Sequence, residues 1–179
     1  MRLIGKNGRV PDPAALLAAA RLLADPNATG AAWPDDARLR RAVSTAYYAV
    51  FHTVLRAAAD RFMGPHEQAS PGYAILYRGF QHGEMREACK MLRRSTLPPK
   101  YSRALRRATV SQALRDFAGA FAELQDERHR ADYDPVASFL PSEVATILLS
   151  AENAIDSFAK IPPYERADVL ALLLAGARA

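Results

Sequence analysis

The stretch DDARLRRAVSTAYYAVFHTVLRAAADRF, residues 35–62, decides the fold class. It contains neither Gly nor Pro. Leu39, Val43, Ala46, Tyr47, Val50, Val54 and Ala58 recur at three- and four-residue spacing. That is the stripe of a long helix with one face turned to a core. Gly64-Pro65 ends it.

Similar punctuation divides the rest of the chain. Asp12-Pro13 reads as an N-cap followed by a first-turn proline, opening a helix that ends near Asp25-Pro26, with loop to Pro34. Ser70-Pro71 starts a helical segment that continues to about Arg94 and is weakened at Gly79 and Gly83. Leu97-Pro98-Pro99 is a rigid connector, after which a long helix runs from about Ser102 to about Tyr133. Pro141-Ser142 begins a helix reaching Lys160, and Pro162-Pro163 sets off a short apolar one. No strand-like alternation or internal repeat occurs. The expected fold is all-α, an antiparallel up-down helical bundle of about five helices with a short extra C-terminal helix. Residues 1–34 form an N-terminal helix and loop, 35–160 the bundle, and 161–179 an apolar helix packed on it. Val169, Leu170, Leu172, Leu173 and Leu174 lie on more than one face of that last helix, which points to a homodimer.

Composition narrows the class of function. The single cysteine, Cys89, rules out an internal disulfide and a multi-cysteine metal site. Arg21 interrupts the apolar run from Ala14 to Ala24, and no run approaches the roughly 20 apolar residues of a membrane span. A cytoplasmic protein off the membrane is expected. No Gly-rich phosphate loop or HExxH is present, and His82-Gly83-Glu84 lacks the PCxxC half of a zinc deaminase motif. Neither a metal nor a cofactor is expected.

Charge is unevenly placed. The chain carries +5, yet the segment from Arg86 to Arg107 alone carries +7, leaving about −2 elsewhere. Arg103, Arg106 and Arg107 are candidate contacts to a phosphate backbone; a solvated face is the competing reading.

Two polar features interrupt the helical pattern. Leu114, Phe117, Phe121 and Leu124 form a seam whose next position is Arg128, with Asp132 four residues beyond. A charge on an inward seam is costly unless paired, so Arg128 is either one half of a structural pair with Asp132 or a functional group. Arg41, Thr45, Tyr48, His52 and Arg56 share one face of the 35–62 helix. Tyr48 and His52 are poor choices for a merely wet surface.

The run Arg41-Ala42-Val43-Ser44-Thr45-Ala46-Tyr47-Tyr48-Ala49-Val50-Phe51-His52 resembles the R-A-x-x-x-A-Y-Y-A-x-F-H helix of HEPN domains. Arg128-His129-Arg130-Ala131-Asp132-Tyr133 is similar to the R-x-x-A-D-Y ending of the same bacterial branch. The resemblance implies a helical bundle, usually homodimeric, in which the two motif regions meet near the dimer cleft. It also implies a toxin–antitoxin or defence setting, often beside a small nucleotidyltransferase. Many HEPN proteins are metal-independent ribonucleases whose signature is Arg, four to six residues, then His. Here Tyr133 stands five residues after Arg128, His129 is adjacent to Arg128, and no His follows Arg130. Tyrosine, with a pKa near 10, exchanges protons poorly at neutral pH. The expectation is an RNA- or nucleotide-binding protein using Arg41, Tyr48, Asp132 and Tyr133 beside Arg128. The alternative is a ribonuclease with Arg128 and His52 as its catalytic pair.

Overall fold

The computed structural model describes residues 10–25, 27 and 35–175, so most of the loop expected before Pro34 lies outside the described residues. Among the described residues the chain is helical throughout, without strands. The helices are α1 (Pro13–Ala24), α2 (Asp35–Met63), α3 (Pro71–Arg78), α4 (His82–Leu92), α5 (Pro99–Leu105), α6 (Gln112–Tyr133), α7 (Pro141–Lys160) and α8 (Pro163–Ala175).

Local sequence explains where several of these begin and end. Asp12, Ser70 and Ser111 each accept a first-turn backbone N–H, at 3.2 Å in all three cases, and so cap α1, α3 and α6. Helix α2 stops at Gly64, whose φ of +97° is open to glycine and strained for other residues.

Two segments expected to be continuous are each split, giving eight α-helices among the described residues rather than about five plus one. The 71–94 segment breaks after Arg78, where Gly79 closes α3 and Phe80 turns into the core before α4 begins. The 102–133 segment starts earlier, at Pro99, and breaks after Leu105. Arg106 there takes a left-handed φ of 52°, and the Leu97 N–H bonds Ala108 O at 2.8 Å, pinning the link. Thr109 and Val110 are β-branched and favour extended backbone, so helix resumes only at the Ser111 cap.

Side-chain pairings fix the helix directions. Arg40 reaches Asp134 while Tyr47 packs on Phe121, so α2 and α6 run antiparallel. Arg130 bonds Glu143 while Phe117 packs on Phe158, which makes α6 and α7 antiparallel as well. The core is continuous from α1 to α8 and is built around Tyr47, Leu114, Phe117, Phe121 and Phe158. Val169, Leu170, Leu172 and Leu173 are buried in it and Leu174 half-buried, so the apolar surplus expected on α8 is covered within one chain. Among the described residues no helix is long and apolar enough to cross a membrane.

Candidate functional site

The antiparallel crossing of α2 and α6 opens a cleft of about 580 Å³. Arg41 and Tyr48 line it from α2; Arg128, Asp132 and Tyr133 line it from α6. The spacing from Arg41 to Tyr48 is two helical turns, and the same spacing puts Asp132 and Tyr133 one turn beyond Arg128. Five residues singled out from sequence therefore meet in one place.

Arg128 is the centre of the cleft. Its Nη2 donates to Tyr48 Oη at 3.0 Å and to Tyr133 Oη at 3.4 Å. The guanidinium also lies over both rings, 5.5 Å from the Tyr48 centroid and 5.2 Å from that of Tyr133. Its Nε stands 2.7 Å from Asp132 Oδ2, an ion pair by distance, although that N–H makes no aligned hydrogen bond. Burial works against the charge, but Tyr48, Asp132 and Tyr133 outweigh it and raise the Arg128 pKa. Asp132 also accepts from the buried Ser44 hydroxyl at 3.4 Å. Arg128 is thus paired with Asp132 and also lines an open polar cleft.

A second arginine, Arg40, holds the cleft's shape. Its Nε pairs with Asp36 at 2.8 Å, and Nη1 donates to Ala131 O at 3.0 Å and Asp134 O at 2.8 Å. Nη2 donates to Ala137 O. These carbonyls lie at and beyond the end of α6, where the helix itself supplies no donors. Arg40 is therefore committed to structure. Arg41, one position on, is exposed and makes no ion pair or hydrogen bond among the described residues.

His52 does not reach Arg128. Tyr48 stands between them, bonded to Arg128 and stacked on His52 at 6.1 Å. His52 Nδ1 is 2.7 Å from Tyr77 Oη on α3, and burial lowers its pKa. The histidine electrostatically coupled to Arg128 is instead His82, the first residue of α4. Its ring stacks on Phe51 at 3.9 Å and meets Tyr48 edge-on at 5.9 Å. Its Nδ1 lies 2.7 Å from Tyr47 Oη. Burial first, then the Arg128 charge, then His52 lower the His82 pKa. The contacts that place His82 come from 31 to 35 residues earlier and 46 residues later, so the local sequence does not reveal this position. Ser44 and Arg40 were missed for a different reason: they sit beside the stripe rather than on it.

The proton between Tyr47 and His82 has a determined place. Tyr47 is fully buried, and burial pushes its pKa up, so it remains a phenol. An O–H buried without an acceptor costs about 1–3 kcal/mol, which favours Tyr47 as the donor to Nδ1 and the His82 proton on Nε2.

The basic segment lies elsewhere, and half of its cations are paired with acids. Arg86 pairs with Asp126 and Glu87, Lys90 with Glu87, and Arg93 with Glu123. Arg107 pairs with Asp168 and with the buried Glu165 on α8. Arg103 donates to Pro99 O within its own helix, and Arg106 occupies the left-handed position after it. None of Arg103, Arg106 and Arg107 lines the α2–α6 cleft. Among the described residues no group of three or more His, Cys, Asp or Glu is arranged to hold a metal ion.

No family model, curated protein or solved structure matches the chain.

Proposed function

We propose that the α2–α6 cleft binds RNA or a nucleotide, and that it binds its ligand rather than cleaving it. The observation that carries this reading is Arg128 held between two tyrosine rings, with the uncommitted Arg41 on the facing helix. Two guanidinium groups suit phosphate oxygens, and Tyr133, 62% exposed, offers an open ring for a base. Fluorescence anisotropy with a short single-stranded RNA tests it. Affinity should fall as salt rises, and Arg41→Glu should weaken binding without lowering the melting temperature. Unchanged affinity in Arg41→Glu would remove the cleft from consideration.

The protonation pattern favours binding over cleavage. A general base needs a free lone pair, and a Tyr47 O–H donated to Nδ1 would put the His82 proton on Nε2. The ribonuclease alternative, using Arg128 and His52, also needs those two groups brought together past Tyr48. Metal-independent cleavage by the wild type, lost in both His52→Ala and Arg128→Ala, would establish that alternative.

The HEPN resemblance extends the reading to a homodimer in a toxin–antitoxin or defence setting, partnered by a nucleotidyltransferase. The dimer draws support from Tyr133, Val136 (88% exposed) and Leu140 (67% exposed), which run along the α6–α7 connection from the rim of the cleft. Light scattering that returns a monomer mass across micromolar concentrations would end it.

A further inference from the structure

A second cleft, of about 600 Å³, lies where the last turn of α2 meets the first turn of α8. Arg41 and Arg61 are twenty positions apart on one continuous helix, which is about 30 Å, so this cleft is remote from the first. Ala57, Ala167 and Leu170 give it a small, apolar floor.

Its rim is cationic. Arg61 is exposed and makes no ion pair or hydrogen bond among the described residues. Arg166 is half-buried and has one distant acceptor, Ala159 O at 3.5 Å, and no acidic partner. The acid that shares the cleft, Asp60, is already engaged by Tyr73 Oη at 2.8 Å and by Arg56 at 3.8 Å. In the first turn of α8 Pro163 has no N–H and the Arg166 N–H bonds Pro162 O at 2.9 Å, which leaves the Tyr164 and Glu165 N–H groups without a helical acceptor. Tyr164, 68% exposed, stands beside them with the Arg107 guanidinium 5.4 Å from its ring centroid.

We propose that this cleft is a separate binding site for a small planar molecule bearing a phosphate, in chemical class a nucleoside monophosphate. The phosphate sits between Arg61 and Arg166 at the α8 amides, and the ring lies against Tyr164 over the apolar floor. The exposed Tyr164 ring beside the apolar floor offers a surface that a bare oxyanion would not use, which argues for the ring as well as the phosphate.

The test is a titration of the ¹⁵N-labelled 179-residue chain with adenosine 5′-monophosphate, adenosine and inorganic phosphate. Adenosine 5′-monophosphate should shift the amides of Tyr164, Arg166 and Ala167, and should bind more tightly than either of its parts. Arg61→Glu, on an exposed position that leaves the fold intact, should weaken it at least about tenfold, as should the conservative Arg166→Lys where bidentate contact is lost. Tyr164→Ala should weaken adenosine 5′-monophosphate and leave inorganic phosphate unchanged. Arg41→Glu separates the two clefts by where the shifts appear: it should remove any ligand-induced shifts of residues lining the α2–α6 cleft and leave the titration of the Tyr164, Arg166 and Ala167 amides unchanged, so failure of one site is separable from failure of the other. Shifts confined to the α2–α6 cleft, equal binding of phosphate and nucleotide, full affinity in Arg61→Glu, or no binding at millimolar ligand would each overturn the assignment.

Discussion

Tyr47 Oη and His82 Nδ1 stand 2.7 Å apart, joining the middle of α2 to the first residue of α4. The phenol is fully buried and has this one partner, so the contact decides which nitrogen of His82 carries the proton. It also keeps a cation away from two places that disfavour one: the positive end of α4 and the neighbourhood of Arg128. The ¹⁵N spectrum of His82 at neutral pH should show the Nε2–H tautomer. Tyr47→Phe should cost about 1–2 kcal/mol, because His82 loses its donor while the ring packing stays. A Nδ1–H tautomer in the wild type would reverse the donor assignment and reopen His82 as a base.

Acid should destabilise the fold through the two histidines. His52 and His82 both have folded pKa values below the unfolded 6.5. The groups facing them are Tyr47, Tyr48, Phe51, Tyr77 and the Arg128 cation. Between the folded and unfolded values the unfolded chain binds more protons, so stability rises with pH there. The stabilisation is complete above about pH 6.5 and is lost progressively as pH falls below it. Replacing both residues, as in His52→Gln with His82→Gln, should flatten melting temperature against pH in that range. An unchanged slope in the double variant would assign the acid sensitivity to the carboxylates.

Arg128 and Asp132 should separate by what each removal leaves behind. Their side chains keep 16% and 18% exposure, so the pair is covered without being sealed. Asp132→Ala leaves Arg128 held by Tyr48 and Tyr133 and should cost about 1–3 kcal/mol by denaturant unfolding. Arg128→Ala should cost a similar amount and abolish RNA binding. A stable, normally binding Arg128→Ala protein would contradict both roles.

The basic segment should divide rather than act as one patch. Arg107→Ala strands the buried Glu165 carboxylate, 4% exposed, leaving it one backbone N–H from Ser111, and should cost about 2–3 kcal/mol. Arg103→Glu has no such partner to lose and should leave unfolding unchanged. Equal destabilisation by the two would mean that α5 is held by its charges as a set.

Arg106→Gly should stabilise the protein by about 1 kcal/mol, because a left-handed φ of 52° is strained for arginine and free for glycine. Chemical denaturation measures it. A destabilised variant would show that the Arg106 side chain holds the α5–α6 link.

Much of this was legible from spacing. The α2 stripe, the α6 seam and the outlying Arg128 follow from helical periodicity, and Arg41, Tyr48, Arg128, Asp132 and Tyr133 do meet in one cleft. Less legible were the break at Arg106, where a residue of good helix propensity adopts a left-handed turn, and the start of α4 after Phe80. His82 was hidden because its role depends on Tyr47, Phe51 and Arg128, each on another helix. The pairing of Arg86, Arg93 and Arg107 was hidden for the same reason: their partners Asp126, Glu123 and Asp168 lie on α6 and α8, far along the chain.

The clasp of Arg40 on the end of α6 bears on the order of assembly. Its acceptors Ala131, Asp134 and Ala137 are 91, 94 and 97 residues further along the chain. Helices form from local contacts quickly, whereas a contact of that span waits for most of the chain to be closed into a loop. The cleft therefore cannot close before the residues after α6 are in place, and in a chain emerging N-terminus first Arg40 waits, unclasped, until they have been made.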